Sequence, residues 1–243
     1  MELDIIVNKF NNDGYVKIKN FFTKKYINKT KTNLQTYLEK QRVKFKKNSI
    51  HFAKKSNKIN SVHNLKWSGI KKFQKNTKII KIVSSLLNDK LSNFGAEVFA
   101  KPAFVGMPVP IHQDNYYWNL NNAKGVTVWI ALDKSTKKNG ALFYYKSSHK
   151  FGLLKHENSY TPGSSQKLQN LKILKKYKKI TPILNAGDIL IHHCLIVHGS
   201  KENSSSQDRT GLTIRYKASS SRIVQKAKKK YEKSLREQLR KSS

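Results

Sequence analysis

The sequence predicts a mainly β domain, a barrel or sandwich with helices packed around it. Three observations point there. From Phe94 onward, short runs of β-branched and aromatic residues alternate with turn residues. Ahead of them, apolar residues recur at helical spacing over about 20–90. The 243 residues show no internal repeat and are enough for one large domain with a real core.

The elements follow in chain order. In FNNDGYVKIKNFF (10–22), Asn11 to Gly14 predict a turn, and Tyr15, Val16 and Ile18 a short strand. Thr23 can cap a helix carrying Tyr26, Ile27, Leu34, Tyr37 and Leu38. Residues 41–66 are polar and lysine-rich, which predicts a loop or lid. Phe73, Ile79, Ile80, Ile82, Val83, Leu86 and Leu87 predict a second helix over 71–88. Strands are expected at 98–105, at 125–132, and at 141–145 after the Asn139-Gly140 turn. A polar insertion covers 155–180. Gly187-Asp188 opens DILIHHCLIVHG, and a last strand covers 210–218. In the tail, Ile223, Ala227, Tyr231, Leu235 and Leu239 recur every four residues. They predict a helix packed on the barrel by its apolar side, with a solvated basic side. The expected organisation is one domain over 1–218 (helical part about 20–90, β core about 94–218) and a basic C-terminal helix over 219–243.

The charge is extreme: 49 Lys+Arg against 14 Asp+Glu, a net +35. A nucleic-acid partner is one reading. But 43 of the 49 are lysines scattered along the whole chain, and there are 22 asparagines, the pattern of an AT-rich coding sequence. That reading is preferred, and nucleic acid is disfavoured as a partner. No apolar run is long enough to span a bilayer, so no membrane role is expected. Glu2 and Asp4 stand where a secretory leader would carry Lys or Arg. The lone Cys194 permits no internal disulfide, which suits a reducing cytoplasm. The sequence sets no oligomeric state.

The chemistry gathers in PVPIHQDNYYW (108–118). His112 and Asp114 are two apart, and on a strand such residues share a face. His198 follows much later at the end of a strand. Two imidazoles and one carboxylate make the facial triad of non-haem Fe(II) oxygenases, leaving the opposite face open for a chelating cosubstrate and O2. Eleven residues past His198 stands Arg209, the only arginine between Arg42 and Arg215. A guanidinium fork grips a carboxylate by two parallel hydrogen bonds, as the distal carboxylate of 2-oxoglutarate requires. Ser200 can add a hydroxyl. His192 and His193, adjacent on a strand, point to opposite faces, and neither is needed as a ligand. His51, His63, His149 and His156 lie in polar segments and are expected in solvent. Tyr116, Tyr117 and Trp118 form either a substrate wall or packing at the barrel mouth.

Several blocks, in order and with matching spacing, resemble the phytanoyl-CoA dioxygenase family: FNNDGYVKIKNFF (10–22), HQDNYYW (112–118), VTVWIALDKSTKKNGAL (126–142), SSHKFG (147–152), AGDILIHH (186–193) and HGSKENSSSQDR (198–209). The resemblance implies a double-stranded β-helix, the cupin-like jelly roll. It implies His112, Asp114 and His198 as iron ligands, Arg209 and Ser200 on the tail of 2-oxoglutarate, and Trp129 lining that pocket. The implied reaction couples decarboxylation of 2-oxoglutarate to succinate and CO2 with hydroxylation of a small molecule. Related halogenases replace the carboxylate ligand with a small residue; Asp114 favours hydroxylation. Lys146 to His149 depart from the family's Pro-Gly-Ser-His on the substrate side. The lysine-rich segments 41–66 and 155–180 favour an anionic substrate, such as a CoA thioester, phosphonate or carboxylate. Two rival readings predict different things. A cupin-like metal hydrolase or isomerase would not need Arg209, and a basic nucleic-acid-binding protein would not need the triad to converge.

Overall fold

The structure, a computed structural model, describes residues 2–45 and 49–241. Residues 46–48 of the segment expected as a loop, and residues 242–243 of the tail, lie outside the described residues. The chain begins with α1 (Leu3–Asp13), β1 (Tyr15–Ile18) and α2 (Lys24–Gln41). Helix α1 corrects the expectation of a turn. Asn11, Asn12 and Asp13 are its last residues, and Ile6 and Phe10 bury its apolar stripe. Gly14, at φ 82°, closes the helix in the left-handed conformation that glycine adopts without steric cost, its N–H donating to Phe10 O at 2.7 Å. Thr23 caps α2 as expected, accepting from Tyr26 N at 3.3 Å.

The expected lid is in part sheet. β2 (Ile50–Phe52) and β3 (Ile59–Val62) form a hairpin there, with Ile50 and Val62 buried. Lysines before β2 and in the turn between β2 and β3 hid two strands too short for alternation to show. The expected helix over 71–88 is two, α3 (Ile70–Gln74) and α4 (Thr77–Leu87). It breaks because Asn76 turns extended and accepts from Ile79 N at 3.1 Å, capping the second helix.

The remaining strands are β4 (Leu91–Lys101), β5 (Val109–His112), β6 (Gly125–Ala131), β7 (Leu142–Tyr145), β8 (His156–Thr161), β9 (Ser164–Leu168), β10 (Lys179–Ile180), β11 (Ile189–His193), β12 (His198–Ser200) and β13 (Arg209–Ala218). The one-turn helix α5 (Asn115–Trp118) follows β5, and α6 (Gln225–Lys241) ends the chain. β4 starts earlier than expected and stops before Pro102, which cannot donate to a ladder. The polar insertion holds the hairpin β8–β9 and the short β10.

Seven strands form one sheet in the order β1-β11-β6-β13-β4-β3-β2, and four form the facing sheet, β10-β7-β12-β5. This is the jelly roll. β6, buried at every position, shows how the layers divide. Val126, Val128 and Ile130 join Phe10, Leu34 and Val83 of the helices in the outer core. Trp129 and Ala131 point the other way, into the barrel, with Tyr144 of the facing sheet. Cross-strand register sets the inner rows. His192 pairs Thr127, which pairs Arg215, which pairs Gly95. At the far end of β13, Arg209 pairs Lys101.

Helix α6 packs on the barrel, but not by the expected stripe. Residues every four apart drift around a helix of 3.6 residues per turn, and both ends of that series, Ile223 and Leu239, are exposed. The inward side instead carries Tyr231, Ser234 and Gln238, which meet the β8–β9 hairpin at Ser165, Asn158 and the Tyr160 N–H.

Candidate active site

His112 is the last residue of β5 and His198 the first of β12, and the two pair directly across these antiparallel strands. Their ring centroids lie 4.3 Å apart. Asp114 is not on a strand. It falls past the end of β5, with φ −58° and ψ −36°, at the head of α5. The helical turn, rather than strand alternation, returns its carboxylate to the imidazoles. Asp114 Oδ1 stands 3.4 Å from His112 Nε2 and 3.7 Å from His198 Nε2. One donor atom from each of the three lies within 4.8 Å of the others, a group that could hold a metal ion.

The far side of each residue is tied back. His112 Nδ1 meets Pro110 O at 2.8 Å, and His198 Nδ1 meets Ile196 O at 3.0 Å. Only N–H can donate to a carbonyl, so both protons sit on Nδ1 and both Nε2 lone pairs face the centre. Asp114 Oδ2 accepts from Thr127 Oγ1 at 2.7 Å and from His192 Nε2 at 3.1 Å. His192 Nδ1 then accepts from Tyr144 OH at 3.0 Å. Burial works to raise the Asp114 carboxyl. The imidazoles of His198, His112 and His192 outweigh it and hold the group well below the usual carboxylate range. Burial keeps His198 neutral, the form in which imidazole binds metal.

Deeper in the barrel, Arg209 is 1% exposed. It donates through Nη2 to Gly140 O, in the Asn139-Gly140 turn, and reaches Phe99 O at 3.5 Å through Nη1. Its guanidinium lies over the Trp129 ring at 5.4 Å. Gly211 makes room for that indole, since a Cβ there would stand 2.0 Å from it. Two buried polar atoms of the candidate cosubstrate residues, Arg209 Nε and Ser200 Oγ, are without a hydrogen-bond partner. A buried donor left unpaired costs about 1–3 kcal/mol, so the pocket suits an acceptor such as a carboxylate. Lys101, opposite Arg209, is also buried and donates to Met107 O at 2.7 Å and Lys201 O at 2.5 Å. Burial, with Arg209 nearby, pushes this lysine well below its ordinary value, and burial takes Arg209 down to about 10.

The structure thus brings His112, Asp114 and His198 together and sets the Arg209 guanidinium over the Trp129 ring, while Ser200 lies buried two residues along β12 from His198. Sequence reasoning missed Thr127, Tyr144 and Lys101, and saw in His192 no more than a neighbour. Their roles depend on cross-strand register, which no local pattern displays. None of the four histidines expected in solvent is exposed: His149 Nε2 donates to Asn11 O at 3.1 Å, and His51 packs edge-on to His63 at 5.2 Å. His156 Nε2 accepts from Gln113 N at 3.0 Å while its ring stacks on Tyr116 at 4.3 Å, and burial pushes it down to about 4. His63 meets Glu97 at 2.7 Å. At the mouth, Tyr117 sits edge-on to His112 at 5.5 Å, and Tyr231 of α6 sits edge-on to Tyr117 at 5.6 Å. Trp118 turns away to pack with Leu120 and Cys194.

A jelly roll with two imidazoles and a carboxylate converging at one mouth, and a buried arginine behind them, has the donor set of a non-haem iron oxygenase that uses 2-oxoglutarate. The chain belongs to the phytanoyl-CoA dioxygenase family, whose profile matches residues 10–211. A probable alpha-ketoglutarate-dependent hypophosphite dioxygenase of Stutzerimonas stutzeri is 24% identical over 216 residues, 84% of this chain and 75% of that protein. A phytanoyl-CoA dioxygenase of Arabidopsis thaliana is 30% identical over 124 residues, 48% of this chain and 41% of the plant protein. The chain thus spans under half the length of that relative. Among solved structures, EctD from S. alaskensis with 2-oxoglutarate and 5-hydroxyectoine superposes with a TM-score of 0.75 at 18% identity, covering 89% of this chain and 76% of that one. The non-heme monooxygenase ThoJ gives 0.73 at 24% identity, covering 90% and 79%. These structures share the fold. Family and site together make the chain an Fe(II)- and 2-oxoglutarate-dependent oxygenase. No described helix is long and apolar enough to cross a membrane.

Proposed function

We propose that the chain hydroxylates a small metabolite, with His112, Asp114 and His198 as iron ligands and Arg209, Ser200 and Trp129 holding the tail of 2-oxoglutarate. The observation that carries this reading is the convergence of Nε2, Nε2 and Oδ1 within 4.8 Å, each residue fixed from behind. Bound Fe(II) with 2-oxoglutarate supplies O2 activation, which yields succinate, CO2 and a hydroxylated product.

The chain's own residues do the rest. Asp114 brings a negative charge to the metal position, and Thr127 and His192 stop its carboxylate from rotating. Arg209 and Ser200 have unspent hydrogen-bonding capacity for the distal carboxylate, with Trp129 as the pocket's flat wall. Tyr117 and Tyr231 limit water at the mouth, a condition for directing oxidation to substrate rather than solvent. A relative named for hypophosphite supports a small polar substrate. The lone, buried Cys194 supports a reducing, cytoplasmic setting.

The test is succinate release with Fe(II) and 2-oxoglutarate across a panel of small acids and zwitterions. Wild type should turn over 2-oxoglutarate slowly alone and faster with a true substrate. No turnover with iron shown to be bound would sink the reading. A metal hydrolase would never consume 2-oxoglutarate, and a nucleic-acid binder would show steeply salt-dependent binding instead.

A further inference from the structure

Helix α6 lies over the mouth of the barrel, and its root and its body are held by different means. At the root, residues 222–224 join the segment after α5 by backbone. Leu120 and Ile223 form an antiparallel bridge, Asn121 N donates to Arg222 O at 3.0 Å, and Val224 N donates to Asn119 O at 2.8 Å. Beyond Val224, α6 reaches the β8–β9 hairpin through its side chains. Ser234 Oγ donates to Asn158 Oδ1 at 2.5 Å and Gln238 Nε2 to the same oxygen at 2.9 Å, while Gln238 Oε1 accepts from Tyr160 N at 3.1 Å. The hairpin is itself a two-stranded sheet apart from the two sheets of the barrel.

This seam is polar and incompletely paired. Asn158 Oδ1 takes a third donor, Gln166 Nε2, at 3.2 Å, and Gln166 Oε1 is buried with no partner. Opening would return that acceptor to water, and side-chain hydrogen bonds of this kind exchange for water at small net cost. The backbone pairing at the root has no such weakness. The helix body can therefore part from the hairpin while its root stays in place.

What the helix covers is the candidate metal position. Tyr231 OH meets Ser165 Oγ at 3.3 Å, and its ring stands edge-on to Tyr117, which stands edge-on to His112. Tyr117 is fixed to the hairpin backbone: its hydroxyl donates to Gln166 O at 3.2 Å and accepts from Gln166 N at 3.1 Å. With α6 seated, the side chains of His112, Asp114 and His198 are 9%, 15% and 5% exposed. The far end is tied shut, with Lys101 bridging Met107 O and Lys201 O and Arg209 donating to Gly140 O. The route to Arg209 runs from the mouth past the metal position.

We propose that α6 is a hinged gate: it pivots at Val224, parts from the hairpin along Asn158, Ser234 and Gln238 to admit 2-oxoglutarate and substrate, and closes with Tyr231 against Tyr117. This rests on the oxygenase reading above and adds a conformational step to it.

The test mixes full-length protein carrying Fe(II) with 2-oxoglutarate in the absence of oxygen. Association and dissociation rates are read by stopped-flow tryptophan fluorescence. Asn158→Ala removes the oxygen that three donors share, so both rates should rise about threefold or more, the scale of one or two lost hydrogen bonds. Their ratio should stay within about twofold, because a gate changes access in both directions alike. Asn158→Cys with Ser234→Cys, oxidised to a disulfide, should slow both rates at least about tenfold, and reduction should release them. The native Cys194 is buried, away from the oxidant. If the disulfide does not close, Asn158→Ala decides alone. Wild-type rates in Asn158→Ala, or in the disulfide form, overturn the gate. So does a rise in dissociation alone, which marks damage to the site rather than a change of access. Absence of any 2-oxoglutarate binding by iron-loaded wild type would instead strike the oxygenase reading itself.

Discussion

The two ends of the barrel interior are built on opposite plans. At the mouth, every candidate ligand is braced from behind: His112 by Pro110 O, His198 by Ile196 O, Asp114 by Thr127 and His192. At the closed end, Arg209 and Lys101 are buried side by side with backbone carbonyls as their hydrogen-bond partners, and Arg209 Nε and Ser200 Oγ have none. Each of the three candidate ligands is tied on its far side and should hold its shape before a metal arrives. The closed end carries cationic charge and donors in excess of its acceptors, and an anion should stabilise it. Rigidity belongs to the reacting end and appetite for ligand to the other.

The strongest way to break the contrast is Asp114→Ala. It should reduce succinate formation to background with the melting temperature close to wild type, because the site opens toward the mouth and the buried β6, β11 and β13 carry the fold. A large drop in melting temperature would show that the braced mouth is also structural. Next comes Arg209→Lys. Losing the bidentate fork should weaken 2-oxoglutarate by roughly 10–100-fold, the range for a charged hydrogen bond of about 1.5–3 kcal/mol, with iron affinity nearly intact. Equal loss of both ligands in titration calorimetry would instead indicate damage to the whole barrel.

Thr127→Val sharpens the comparison from the other side. It takes one brace from Asp114 Oδ2 and touches nothing at the closed end. Iron affinity should fall about tenfold, the lower range for partners behind a metal ligand, while 2-oxoglutarate affinity measured with iron saturating should hold. The smallest effect is acid sensitivity. Burial is the main cause that pushes His156 down to about 4 and His193 down to about 3. The unfolded chain would protonate both near 6.5. Stability from these groups is therefore present above pH 6.5 and lost as pH falls below it. Each histidine should cost about 1 kcal/mol between pH 6.5 and 5.5. Denaturant midpoints that fall about half as far over that window in His156→Gln as in wild type would assign its share, the rest being left to His193.

The residues that carry chemistry were more legible than the scaffold that aims them. Arg209 stood out because arginine is rare in a chain that uses lysine almost everywhere. His112 and Asp114 were paired by an argument about strand faces, yet Asp114 lies in a helical turn; two residues of separation bring the groups together by either route. Thr127 and His192 could not be seen, because what matters is that they oppose each other across β6 and β11, and register is a non-local property. The strands β2 and β3 were hidden by their shortness and by the lysines that flank them, and α1 by the turn residues Asn11, Asn12 and Asp13 at its own C-terminus. The tail was read as a helix, but an every-fourth stripe describes only its middle. Its contacts are made by Tyr231, Ser234 and Gln238, two of them polar residues that a search for apolar periodicity discards.

β12 is three residues long, and both ends of the proposed cosubstrate pocket are on it. His198 and Ser200 are two apart on one extended strand, so their side chains lie on the same face, separated along the backbone by about 7 Å. If His198 holds the metal and Ser200 the distal carboxylate, this short strand acts as a caliper for the length of the diacid between them. A keto acid one carbon shorter would leave Ser200 and Arg209 out of reach, and one carbon longer would have to buckle against Trp129. The choice of a five-carbon cosubstrate would then be set by a backbone repeat rather than by any single side chain. No substitution that leaves β12 paired with β5 and β7 would be expected to retune it.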